Sequence, residues 1–205
     1  MNSHQGQIRR ISWQAIQLWI RELADDQTEW DCIVGVSRGG VPLAVSLSYY
    51  CDRKQLEFLH RSQAPGPRPP FYLFGDSRED RIDKAMKNFH LTGGGKYRHV
   101  LVIDDVATFG DTLAVAGELL TAEGVTDIKF ATYAADLTVL KRERPDLASR
   151  LRYGIAIDNS STWLSFPWQS HEDLLLELIG NRLAHTVSRS ETRCRGASWG
   201  LLRER

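Results

Sequence analysis

Residues Val100-Leu101-Val102-Ile103-Asp104-Asp105-Val106-Ala107-Thr108-Phe109-Gly110-Asp111-Thr112-Leu113 join an apolar run, two adjacent carboxylates and a short loop that opens a helical pattern. A short apolar run bounded by polar turn residues reads as a strand buried on both faces. Here the strand spans His99 to Ile103 and delivers Asp104 and Asp105 to its C-terminal end. Open α/β sheets bind ligands at that edge, where the strand order reverses. Adjacent carboxylates repel one another, so the pair calls for sugar hydroxyls or a cation to receive it. The loop from Val106 to Asp111 then leads into a helix over Thr112 to about Glu123, which Gly124 stops. Backbone N–H groups at such a helix start, with the Thr108 and Thr112 hydroxyls beside them, make a site for one phosphate. Two carboxylates and a phosphate cradle a few residues apart fit a ribose 5-phosphate. The bland alternative is an ordinary strand-to-helix turn in which Asp104 or Asp105 caps the next helix.

Outward from this stretch the same alternation recurs. Trp13, Ile16, Trp19, Ile20 and Leu23 repeat at three- and four-residue spacing, which predicts an amphipathic helix over Ser12 to Ala24 with Ser12 as N-cap. Cys32 to Val36 is a second apolar strand; it ends in Ser37-Arg38-Gly39-Gly40, and a helix runs from Val41 to about Tyr50. Strand, glycine turn and helix begin a βα unit. Further strands are expected over Gln55 to His60, Ile128 to Ala134 and Tyr153 to Ile157, with a charged helical piece from Leu137 to Leu151 interrupted at Pro145. The alternation predicts an α/β fold with a mostly parallel central sheet covered by helices on both faces.

Residues 61–98 break the pattern with four prolines, a charge cluster from Asp76 to Lys87 and Gly93-Gly94-Gly95. An excursion of this length reads as a functional hood. Gly93 to Lys96 fails the nucleotide-loop pattern, because His90 and Tyr97 stand where Gly and Ser or Thr are needed. A terminal amphipathic helix is expected over Glu172 to Ala184. The domain therefore spans 1–185, with a loosely held arginine-rich tail over 186–205.

Composition bounds the function. The 205 residues suit one domain, and 42% hydrophobic with 25% charged residues is the balance of a globular chain. Twenty-six Lys and Arg against 26 Asp and Glu leave no net charge, which argues against nucleic acid or a membrane surface as partner. No run approaches a membrane span, and the polar start Met1 to Arg10 lacks the apolar stretch of a signal peptide, so a cytoplasmic location is expected. Three cysteines, Cys32, Cys51 and Cys194, give neither a disulfide framework nor a zinc signature.

Ile103 to Thr112 resembles the phosphoribosyl diphosphate (PRPP) binding motif of type I phosphoribosyltransferases. Val36-Ser37-Arg38-Gly39-Gly40 is similar to that family's pyrophosphate loop, and Trp163-Leu164-Ser165-Phe166-Pro167-Trp168 to the C-terminal segment of its xanthine-guanine group; the three occur in the family's order. The resemblance covers about residues 8–170 and implies a type I phosphoribosyltransferase fold with a hood. It also implies PRPP and a nucleobase-like molecule as substrates, Mg²⁺ as cofactor, a role in nucleotide salvage and a possible homo-oligomer. Asp104 and Asp105 would bind the ribose hydroxyls, one of them through Mg²⁺. Thr108, Phe109, Gly110, Asp111 and Thr112 would wrap the 5′-phosphate. Ser37, Arg38, Gly39 and Gly40 would hold the pyrophosphate, in a loop that in this family often contains a non-proline cis peptide. Trp163 and Leu164 would lie at the base, and the hood would close over PRPP.

The pattern is broken at informative places. The 6-oxopurine enzymes of the family carry Asp where Thr108 stands, and that Asp accepts the purine proton; orotate enzymes carry Thr there. Phe109 replaces a small or hydroxylic residue. Gln169 replaces an acidic one. Asp136 takes the place of a base-reading Lys, so it either faces an exocyclic amine of the base or caps the helix that follows. These departures keep a second class open beside the enzyme: a PRPP- or nucleotide-sensing protein without turnover.

Overall fold

The computed structural model describes residues 7–25, 30–52, 55–61, 89–91, 97–157 and 162–169. The chain enters on strand β1 (Gln7–Arg10) and helix α1 (Trp13–Asp25), then forms β2 (Cys32–Val36) and α2 (Gly40–Tyr50). Strands β3 (Leu56–Arg61), β4 (Phe89–Leu91) and β5 (His99–Ala107) follow, then helix α3 (Asp111–Ala122) and β6 (Asp127–Ala135). Two short helices, α4 (Leu137–Glu143) and α5 (Pro145–Arg150), lead into β7 (Leu151–Ala156), and β8 (Thr162–Ser165) comes last.

Six strands build one sheet in the order β4-β3-β2-β5-β6-β7, parallel throughout except for the antiparallel edge pair β3–β4. From β2 the chain runs outward through β3 and β4; from β5 it runs the other way through β6 and β7. The order therefore switches between β2 and β5, whose register sets Gly35 beside Ile103. The two loops that the sequence marks as chemical leave the sheet side by side at this point.

Continuous apolar runs become the central strands because both of their faces are covered. On one face Cys32, Val34, Val100 and Val102 pack with Leu113 and Leu120 of α3 and with Leu140 and Leu147 of α4 and α5. On the other face Ile33, Leu101 and Ile103 meet Ile16 and Ile20 of α1 and Leu43 and Leu47 of α2. The Ser12 hydroxyl accepts a hydrogen bond from the Ala15 N–H at 3.1 Å and caps α1, whose buried stripe is Ile16, Trp19, Ile20 and Leu23. Pro145 divides α4 from α5, leaving Arg144 outside the helical region (φ −143°, ψ 65°), as the clash with a following proline ring favours.

Several boundaries differ from the sequence reading. β5 continues to Ala107, two residues past the carboxylates, and β7 begins at Leu151 instead of Tyr153. β1 and β8, absent from the sequence reading, form a separate two-stranded parallel sheet pairing Gln7 with Thr162 through Arg10 with Ser165. Four residues of mixed polarity carry no local period, so only the distant partner defines either strand. An aromatic chain fixes this corner: Trp19 meets Tyr133 edge-on at 5.6 Å, Tyr133 meets Phe166 at 5.9 Å, and Phe166 stacks on Trp168 at 5.0 Å. The terminal helix, the tail, the 185 boundary, Cys194 and residues 62–88 and 92–96 of the hood lie outside the described residues. Among the described residues no helix is long and apolar enough to cross a membrane.

Candidate active site

Side chains alternate across a strand, so the two carboxylates at the end of β5 part company. Asp104, buried, lines a concavity together with residues 106–113. Asp105 turns to the loop after β2, where a Cβ placed on Gly39 would collide with its carboxylate. A Cβ on Gly40 would run into the Ile103 carbonyl oxygen and lie 3.0 Å from Asp104 Cα. The two glycines are what let the β2 loop and the first turn of α2 close onto β5.

Each carboxylate is held by the next amide: the Asp105 N–H donates to Asp104 Oδ1 at 2.9 Å, and the Val106 N–H donates to Asp105 Oδ1 at 2.8 Å. Neither caps α3; its N-cap is Gly110, with no side-chain cap bond, so the bland reading of the pair is not realised. Burial, and then repulsion from Asp105, hold the Asp104 carboxyl well above the ordinary carboxylate range. Burial also raises Asp105, opposed by hydrogen bonds from Asp104 and the Val106 amide. An arrangement that makes ionisation this unfavourable is matched to a cation or to hydroxyl donors.

The loop beyond, Thr108 to Gly110, carries the chain from strand to helix. Gly110 adopts φ +75°, and a Cβ there would sit 2.6 Å from Leu147 Cδ2 and 2.9 Å from Leu140 Cδ2, so both conformation and space demand glycine. Thr108, Phe109 and Thr112 are half-buried along the concavity, and the first N–H groups of α3 face the turn. Asp111 is buried and pairs with Arg144 Nη2 at 3.4 Å. The sequence reading missed Arg144: it sits among the exposed bases Lys141, Arg142 and Arg150, and only burial sets it apart. On the β2 side, the Ser37–Arg38 peptide is cis, Ser37 N–H donates to the Leu59 carbonyl at 2.8 Å, and Arg38 is exposed.

Two base-site expectations change. Asp136 is buried and caps α4, its Oδ1 accepting the Val139 N–H at 3.0 Å; of its two readings the structure realises the cap. Leu164 is buried at 8% exposure in the core beneath α1 and α2, so its side chain serves packing and not a base. For Trp163 the backbone alone is described, paired with Ile8.

Among the described residues no three metal-ligating side chains cluster. Magnesium does not need three: it commonly takes one or two carboxylates and completes its shell with water and substrate phosphates. The hard oxygen donors of Asp104 and Asp105 at the switch point fit that requirement.

A family model described as a phosphoribosyl transferase domain matches residues 4–170. The chain belongs to this family. No curated protein sequence matches it. Among solved structures, a purine phosphoribosyltransferase from Pyrococcus horikoshii is similar with a TM-score of 0.55 and 23% identity, over 80% of this chain and 95% of that one. A xanthine-guanine-hypoxanthine phosphoribosyltransferase from Helicobacter pylori gives 0.53 at 12% identity, over 83% and 99%. A Neisseria gonorrhoeae protein with bound ppGpp gives 0.54 at 17%, over 90% and 99%. These likenesses show the fold. The phosphoribosyltransferase therefore has the type I architecture: a parallel sheet between helices, with the Asp104–Asp105 motif and the Ser37–Gly40 loop meeting at its switch point.

Proposed function

We propose that this phosphoribosyltransferase transfers 5-phosphoribose from PRPP to a ring nitrogen of a purine-like or modified base, with Mg²⁺ bound. The observation that supports the reading is the approach of Gly39 to Asp105, which brings the Ser37–Gly40 loop to the carboxylate pair from which the Thr108–Thr112 turn leads. Asp104 and Asp105 hold the ribose hydroxyls and, with the diphosphate, would hold the cation, which neutralises charge on the departing pyrophosphate when bound. The turn from Thr108 to Thr112 fixes the 5′-phosphate through backbone N–H groups and hydroxyls. Arg38, exposed beside this point, meets the diphosphate. In the step itself the C1–oxygen bond to pyrophosphate breaks, a base nitrogen bonds to C1, and the base nitrogen's proton leaves to solvent. Positioning and charge stabilisation do the catalysis. Thr108 cannot accept that proton near neutral pH, which moves the acceptor away from an ordinary 6-oxopurine. The same reading places the protein in cytoplasmic nucleotide salvage.

The test is pyrophosphate release from PRPP and Mg²⁺ across a panel of purine, pyrimidine and deazapurine bases, with an Asp104→Asn/Asp105→Asn variant as blank. Release with one base, absent in the blank, is expected and names the acceptor. The bulky Phe109 in the phosphate turn favours a second reading, a nucleotide sensor on the same fold. Silence across the panel, with PRPP still raising the melting temperature, selects it.

A further inference from the structure

We propose that Arg144 is a positioning residue of the phosphate turn: the counter-ion that cancels Asp111 and so lets the turn accept a phosphate dianion. The inference rests on reading Thr108 to Thr112 as the 5′-phosphate site. That turn carries a carboxylate where its ligand is an anion, because Asp111 is the first residue of α3 and lines the same concavity as Thr108 and Thr112. Asp111 is 8% exposed, too buried for water to screen it well. Left unopposed, its charge works against the helix N-terminus that would otherwise attract phosphate.

Arg144 supplies the opposite charge from the core side. It is 6% exposed at the junction of α4 and α5, with Nη2 3.4 Å from Asp111 Oδ1. The junction holds it firmly: the Arg144 N–H donates to the Leu140 carbonyl at 2.7 Å, and its own carbonyl accepts the Ala148 N–H at 2.9 Å. Leu140 and Leu147 from the same helices press against Gly110, so the element that carries the guanidinium also supports the turn. The contact differs from one made for bracing. A bracing Arg–carboxylate pair is typically bidentate at about 2.7–2.9 Å. This pair has one longer contact, and among the described residues the buried Arg144 Nε has no hydrogen-bond partner. One long contact between two buried charges adds little stability of its own. Cancelling a carboxylate inside an anion site is the function that such an arrangement serves.

The test measures binding of ribose 5-phosphate, and of PRPP with Mg²⁺, by calorimetry on the full chain, with steady-state kinetics alongside. Arg144→Met is expected to weaken both ligands by on the order of tenfold or more, the loss appearing in KM for PRPP and not in kcat. Arg144→Lys keeps most of the affinity. Asp111→Asn, which leaves Arg144 uncancelled, binds ribose 5-phosphate more tightly than the native protein. The double variant Asp111→Asn/Arg144→Met recovers to within about threefold of native, since both members of the pair are then neutral. A pair that only braces the fold gives the reverse: Asp111→Asn weakens binding as Arg144→Met does, and the double variant is no better. That result overturns the proposal, as does unchanged binding in Arg144→Met. If Arg144→Met fails to fold, the sign of the Asp111→Asn effect decides alone. A native protein that binds neither ligand removes the phosphate-site reading itself, and this inference with it.

Discussion

At the scale of single residues, the carboxylate pair is a local cost to the ligand-free fold. Asp104 and Asp105 both bind their protons more tightly in the folded chain than in the unfolded one, through burial first and mutual repulsion second for Asp104. Above the ordinary carboxylate pKa the folded state therefore holds more protons than the unfolded state, and stability falls as pH climbs toward the raised values. Replacing Asp104 with Asn removes the titration while keeping the shape. Without ligand, Asp104→Asn should melt a few degrees above native at pH 8, the size that about 1 kcal/mol gives a chain of this length. The gap should close as pH falls toward 4. On the proposed function, the native protein gains stability from Mg²⁺ and PRPP and the same variant should lose that gain. Thermal melts from pH 4 to 9, with and without ligand, read both effects; a variant no more stable than native at high pH would mean that the carboxylates carry no such cost.

Whole elements divide by whether their reasons are local. β2 is legible to the residue, because Cys32 to Val36 is apolar throughout and both its faces are buried. The start of β5 and the glycine turn after β2 are legible for the same reason, as local apolar runs bounded by polar or glycine residues; the far end of β5 is not, because Val106 and Ala107 stay in the strand through pairing with Ala134 and Ala135 of β6. β1 and β8 are not, since their partners lie more than 150 residues apart and neither shows alternation. Arg144 is hidden in another way: its neighbours are solvated bases, and its partner lies 33 residues earlier. Asp136 shows why a site residue stays ambiguous in sequence. A carboxylate between strand and helix suits a cap and a ligand contact equally, and the backbone decides, here with Val139 N–H bonded at 3.0 Å. Asp136→Ala should accordingly cost about 1 kcal/mol through loss of the cap, and Asp136→Asn only a fraction of that. Neither should alter the ranking of bases in the pyrophosphate-release panel. A changed ranking with unchanged stability would return Asp136 to the base site.

For the molecule as a whole, a ligand at the switch point touches both halves of the sheet, so its binding energy should appear as stability of the entire fold. At a hundredfold excess over its dissociation constant a ligand adds about 2.7 kcal/mol. For a chain of this length that is a rise of roughly 5–11 °C in melting temperature. Two adjacent glycines separate this linkage from simple packing. A Cβ at Gly39 meets the carboxylate of Asp105, a side chain able to swing aside, whereas a Cβ at Gly40 meets the backbone of Ile103 and Asp104. Gly39→Ala should therefore leave the ligand-free melting temperature close to native and abolish most of the rise with Mg²⁺ and PRPP, because the displaced carboxylate is one of the pair proposed to hold them. Gly40→Ala should lower the ligand-free melting temperature by several degrees, because α2 must back away from the central strand. Differential scanning calorimetry of the two variants, with and without ligand, checks this directly. Equal losses in both quantities for both variants would show that the β2 loop braces the sheet without forming a wall of the site.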